Sequence, residues 1–583
     1  MNRSSSNYDK FPAARIPFGR ESLWQSWQEI IARIGADVAR GARVICVETY
    51  PGVFEDQILE ALSEGLRPAR VIRTRDCWKT AREIDAMIAH DLTDDPVFGR
   101  ITSCTIEQFA DPKHVEELRQ AFRSGAGLTL ILGTGTTLLD DEPDILILAD
   151  LARWEIQRRQ RTKQIGSFPH GAVSESPAAK YKRAYFVDWR VADRIKEQLL
   201  DRIDYLLDSN DPSTPKMITG EAFRVGLASL VRRPFRVVPF FDPGPWGGQW
   251  MREVCDLPDG PPNYAWCFDC VPEENSLFLD LAGVRVEIPA TDLVMRHPRE
   301  LLGDMVYRQF GAEFPIRFDF LDTMQGGNLS LQVHPLTEYI RDNFGIAYTQ
   351  DESYYLLDAG PDASVFLGLK TGIDRQAMMN DLHQAQEGGK PFDASRYVNQ
   401  WPARKHDHFL IPAGTLHCSG ANSMVLEISA TPYIFTFKLW DWGRLGLDGH
   451  PRPIHLEHGI ANIQWNRDTD WVRENLLNRI ERIGEGAGWT AERTGLHELE
   501  FIETTRHWFT SAVEHDASSG VHVLNLVEGE EAVVESPGAA FEPFHVHYAE
   551  TFIVPAQAGK YTMRPARTGD KCATIRAAVR LNP

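Results

Sequence analysis

Leu329-Ser330-Leu331-Gln332-Val333-His334-Pro335 is the stretch on which the reading turns, because it sets two metal-capable side chains two residues apart in an apolar, strand-like segment. Period-two geometry puts Gln332 and His334 on one face. Glu352 stands eighteen residues beyond His334 and opens a second apolar run, Glu352-Ser353-Tyr354-Tyr355-Leu356-Leu357. His417 closes Ile411-Pro412-Ala413-Gly414-Thr415-Leu416-His417, 83 residues after His334. Any one of these side chains alone reads as the polar face of a half-exposed strand. Together, Gln332, His334, Glu352 and His417 are placed to close on one divalent ion. Nitrogen and oxygen donors without cysteine suit zinc, and leave manganese, iron and cobalt open. Three strong donors and a neutral amide leave coordination positions free, as catalysis requires.

The spacing of these motifs resembles that of the cupins, small β-barrels in which a strand motif and a later P-x-G-x-x-H motif bring their ligands to one metal. Pro412, Gly414 and His417 stand at the second motif. A Gln-x-His pair followed by P-A-G-T-x-H resembles the type I mannose-6-phosphate isomerases in particular. The same resemblance runs through Phe314-Pro315, Phe320-Leu321-Asp322, Phe366 to Gly372, Val425-Leu426-Glu427-Ile428, Thr436 to Asp441 and Asp448 to Pro453. It covers roughly residues 235–583.

That resemblance implies metal-dependent interconversion of mannose 6-phosphate and fructose 6-phosphate through an enediol, with one zinc or other divalent ion per chain and a sugar phosphate as the small-molecule partner. Glu427 matches a family active-site glutamate, the candidate base or proton relay, and Lys438 occupies the position of an active-site arginine. The substrate shell departs from the family pattern. Asp319 replaces a lysine, Gln350 replaces another, and Lys438 replaces the arginine, so each change weakens or removes a cation. Arg317 lies on the same strand face as Asp319 and is placed to restore one charge. Two other readings stay open: isomerisation of a different sugar or sugar phosphate, and a sugar-sensing protein without turnover.

Composition bounds the rest. The 583 residues call for two to four domains. A hydrophobic content of 43% with 25% charged residues is that of a soluble globular protein. The formal net charge of −20 argues against nucleic-acid binding, which needs basic residues against phosphates. No apolar stretch approaches the ~20 residues of a membrane span, and the first residues lack a signal-peptide core, so a cytoplasmic location is expected. Oligomeric state is not legible. Eight dispersed cysteines do not form a disulfide framework, and Cys267-Phe268-Asp269-Cys270 reads as packed thiols.

The chain is expected to be multidomain: an N-terminal α/β domain with a parallel sheet (1–230), then an all-β double-cupin (jelly-roll barrel) module with helical insertions. That module divides into a metal-binding catalytic domain (231–490) and a metal-free barrel (491–583). In the first domain the pattern predicts strands over 43–48, 128–132 and 144–148, and helices over 55–64, 153–161 and 188–207. The layout resembles P-loop nucleoside kinases that have lost the loop, since no G-x-x-x-x-G-K-[ST] follows the first strand. Gly133-Thr134-Gly135-Thr136-Thr137 reads as a turn. His545-Val546-His547 reads as structural, because Val554 to Lys560 supplies no later histidine and Glu550 has the opposite strand parity.

Overall fold

Continuous apolar runs with no alternation suit strands covered on both faces, and the computed structural model forms such strands at Val44–Thr49 (β1), Thr129–Gly133 (β3), Ile145–Asp150 (β4) and Tyr205–Asp208 (β5), with Arg70–Arg73 (β2) as a partly exposed edge strand of the same sheet. All five run parallel, with β3 between β1 and β2, β4 on the other side of β1, and β5 beyond β4. The antiparallel pair Lys216–Thr219 and Leu23–Trp24 extends the β5 edge. Chain order therefore reverses across β1. The structure describes residues 6–123, 126–430, 435–447, 449–495 and 497–580. Asp448 of the segment quoted above, and Met1 to Ser5, lie outside them.

Two compact units partition the chain: Ala13–Leu230 with Ser276–His297, and Met1–Pro12 with Val231–Asn275 and Pro298–Pro583. The hairpin Ser276–Leu281 and Val284–Pro289 pairs with Ala13–Arg15 and belongs to the first of these. Helices begin where the sequence offers caps: Thr80 and Glu83 form a reciprocal capping box at Ala81–Leu92. The helix expected over 188–207 is shorter than its apolar pattern. It ends at Leu199, and Tyr205–Asp208 is the strand β5, a fully buried apolar run that periodicity alone cannot separate from a helix.

In the second unit, Arg317–Asp322 (β6), Leu331–Val333 (β7), Asp351–Ala359 (β8), His417–Ser419 (β9), Ser423–Ala430 (β10) and Phe437–Trp440 (β11) belong to two antiparallel sheets. β10 lies between β6 and β8, while β7 lies between β9 and β11. Helices Arg375–Gln386, Leu456–Asn462 and Thr469–Asn475 interrupt the strands. Two further sheets follow, with Phe509, Leu524, Val534, Phe552 and Tyr561 in a common core. Cys267 and Cys270 are buried free thiols. Among the described residues no helix is long and apolar enough to cross a membrane.

One buried ionic cluster ties segments of this unit that are distant in sequence. Arg236 pairs with Glu550 at 2.7 Å and with Asp269 at 3.7 Å, and Asp269 also accepts hydrogen bonds from Tyr8 Oη at 2.6 Å and Thr551 N at 2.9 Å. Removing one partner of a buried pair strands the other charge at a cost of about 3–5 kcal/mol. Arg236→Met is therefore expected to lower the unfolding free energy by that amount, seen as a fall in the denaturant midpoint, whereas an unchanged midpoint would show that the cluster contributes no net stability.

Candidate metal centre

The first ligand segment ends where Pro335 stops β7, and the second is held against it by a glycine turn. Gly414 N donates to the His334 carbonyl at 3.0 Å. The backbone at Gly414 has φ +84°, and a Cβ there would fall 2.9 Å from Asn462 O and 2.7 Å from Gln464 Cγ. Only glycine fits without displacing that backbone. Arg467 Nη1 donates to the carbonyls of Pro412 and Ala413, both at 2.7 Å, and closes the same turn.

This scaffold brings His334, Glu352 and His417 together with their ligand atoms within 4.8 Å of one another. All three are buried, at 0%, 1% and 0% exposure. Each imidazole donates its Nδ1–H to a carbonyl, His334 to Phe435 O and His417 to Thr415 O, both at 2.8 Å. A carbonyl only accepts, so the Nδ1 atoms carry protons, and a neutral ring in this tautomer presents its lone pair at Nε2. Those lone pairs face Glu352, with His417 Nε2 2.8 Å from Oε1 and His334 Nε2 3.1 Å from Oε2. His334 Nε2 and Glu352 Oε1 nonetheless make no hydrogen bond. Buried acceptors facing buried acceptors are unfavourable unless a proton or a cation stands between them. The donor set, tautomers and orphaned atoms fit a divalent ion.

Register places the remaining predicted residues. Gln332 is the cross-strand neighbour of both His417 and Lys438, and its Nε2 lies 3.2 Å from His417 Nε2. Arg317 stands opposite Ser429, which stands opposite Glu352; Asp319 stands opposite Glu427, which stands opposite Tyr354. Directly paired residues share a face, so these six line one wall. Gln350 Nε2 donates to Glu352 Oε2 at 3.0 Å and approaches Glu427 Oε1 at 3.5 Å, linking the ligand triad to Glu427. Arg317 and Asp319 form an ion pair at 3.7 Å. Lys438 is half-buried, in contrast to the triad.

The environment shifts these groups away from their ordinary values. Burial opposes charge on both His334 and Glu352, yet their mutual attraction prevails, raising the imidazole and holding the carboxyl well below its usual range. Burial pushes Glu427 up, reinforced by the charges of Glu352 and Asp319. Asp319 is pushed up to about 7 by burial, against the pull of Arg317. Burial next to Arg452 lowers Lys438 to about 7.

Tyr354 and Ser429 were not singled out from sequence. The Tyr354 ring meets His417 edge-on at 5.8 Å, and both hydroxyls are buried without a hydrogen-bond partner among the described residues. Tyr354 follows Glu352 by two, so parity was the available signal. In the second His-x-His, His545 pairs with Glu531 at 2.6 Å and His547 with Glu550 at 3.2 Å, each in a separate contact.

Comparison with known proteins fits this geometry. Residues 26–232 match a family described as a domain of unknown function (DUF8485). The chain is similar to mannose-6-phosphate isomerases. It is 27% identical over 217 residues to one from Streptococcus mutans, covering 37% of this chain and 63% of that relative, and so spans less than two thirds of its length. It is also 27% identical over 238 residues to the isomerase ManA of Bacillus subtilis, covering 40% and 69% of the two chains. The crystal structure of a Bacillus subtilis mannose 6-phosphate isomerase covers 60% of this chain and 100% of its own, at 17% identity and a TM-score of 0.48.

Because proton and ion compete for His334 Nε2, divalent-metal affinity is expected to weaken as pH falls. His417→Ala is expected to lose most of the bound metal by elemental analysis. Unchanged stoichiometry in that variant would remove His417 from the ligand set.

Proposed function

We propose that the unit containing Pro298–Pro583 is a metal-dependent aldose–ketose isomerase interconverting mannose 6-phosphate and fructose 6-phosphate. The observation that carries this reading is the convergence of His334, Glu352 and His417, with Gln332 beside His417 and Glu427 joined to Glu352 through Gln350, and the isomerase relatives are its support. Zinc is the ion assigned, one per chain, from the nitrogen and oxygen donor set. When bound it supplies Lewis acidity toward a sugar oxygen.

The protein's own groups handle protons and charge. Glu427 takes the proton from C2 of the aldose and, after the enediol forms, delivers it to C1 of the ketose; burial, with the charges of Glu352 and Asp319, pushes its carboxyl upward and so makes it a stronger base when ionised. Gln350 holds the Glu427 and Glu352 carboxylates in relative position. Lys438, the cross-strand neighbour of Gln332, is assigned to the developing negative charge as a cation. Replacing Glu427 by Gln is expected to lower kcat about 10²–10⁴-fold with metal content retained. In a coupled assay the metal-loaded wild type is expected to turn over mannose 6-phosphate; full metal occupancy without turnover on any sugar phosphate would favour a sensor instead. If Lys438 acts as a cation, kcat/KM falls as pH rises through about 7, and Lys438→Arg moves that fall to higher pH. An unmoved profile would take Lys438 out of this role.

The Arg317–Asp319 pair favours a second specificity within the same chemistry. Asp319 absorbs part of the Arg317 charge that a phosphate dianion would use. At an effective dielectric of ~20, two unit charges ~4 Å apart interact by about 4 kcal/mol. Asp319→Lys is therefore expected to lower KM for mannose 6-phosphate and to leave free mannose unaided. Equal KM values for wild type and variant would show that Asp319 does not face the phosphate.

A further inference from the structure

The cavity at the carboxyl end of β1, in the unit built around the parallel sheet, has no part in the chemistry above. It measures 490 Å³, within the ~300–1,000 Å³ range of ligand sites. It opens where chain order reverses across β1, the place at which open parallel sheets bind ligands. Its walls include Phe54, Trp78 and Phe168, with the last two rings in edge-to-face contact at 5.3 Å. Gln160 lines it and is only 4% exposed. Trp78 lines it as well and is 6% exposed.

The charges around the cavity exclude an anionic occupant. Glu55 and Asp56 fill the first turn of the helix Glu55–Leu66, so its own carboxylates already meet the positive helix end. Arg75, the cation lining the cavity, lies 3.6 Å from Glu55. The next loop is also closed to phosphate, because Gly135 N and Thr136 N donate to the buried Glu48 carboxylate at 2.6 and 2.7 Å. What remains is aromatic surface for the face of a ring, an amide that both donates and accepts, an indole donor, and carboxylate acceptors.

We propose that this cavity binds an uncharged ring compound rich in hydroxyl groups, a free sugar or a nucleoside, and discriminates against its phosphate ester. The two sources share the chemistry of a neutral furanose or pyranose, and separate arms of one experiment distinguish them.

Isothermal titration of the full chain with mannose, fructose, adenosine and uridine, each beside its monophosphate, tests the assignment. At least one neutral compound is expected to bind. Its affinity should fall about tenfold in Gln160→Leu, the 1.4 kcal/mol equivalent of one hydrogen bond, and be lost in Gln164→Trp, which fills the mouth from an exposed position. The monophosphate should bind at least tenfold more weakly than its parent. Binding at the metal centre survives both substitutions and is separated in that way. If Gln160→Leu fails to fold, Gln164→Trp still decides. No binding by any neutral compound, affinity unchanged in Gln164→Trp, or an equally tight phosphate ester would overturn the proposal.

Discussion

Two imidazoles aimed at one buried carboxylate form the constraint around which the second unit is arranged. Each ring is oriented by its Nδ1–H bond to a carbonyl, which leaves Nε2 of both histidines directed at Glu352. Hydrogen bonds of this kind raise ligand basicity and fix the tautomer that a metal needs. The surrounding features serve that arrangement: Gly414 allows the turn before His417 to lie against the end of β7, Arg467 clamps the turn, and Gln350 holds Glu352 from the other side.

Charge bookkeeping on the wall explains why an ion matters beyond coordination. On β6, β8 and β10, Glu352, Glu427 and Asp319 share a face with Arg317, while Lys438 stands on β11 in the other sheet. The upward shifts of Glu427 and Asp319 come first from burial, and the charge of Glu352 adds to both. A divalent ion in the triad reverses the sign of the local field.

The sequence made the ligands legible because their signals are local. A two-residue strand spacing gives Gln332 and His334, the start of an apolar run gives Glu352, and a proline–glycine turn gives His417. Secondary elements with strong patterns were equally readable, such as β1 or the helices Arg153–Arg161 and Arg375–Gln386. Register was not. That Asp319 faces Glu427, or that Ser429 links Arg317 to Glu352, depends on tertiary pairing of β6, β8 and β10, which no single strand encodes. Nor does a local pattern reveal that the hairpin after residue 275 packs with the first unit. The missed hydroxyls of Tyr354 and Ser429 sat in runs that look like ordinary core.

The most direct test of the central claim is anomalous diffraction from crystals of the full chain grown with zinc, recorded on both sides of the zinc absorption edge. A single strong peak at about 2.0–2.2 Å from His334 Nε2, His417 Nε2 and a Glu352 oxygen is the predicted result. No peak among those three side chains, or zinc bound only elsewhere on the molecule, would contradict the account.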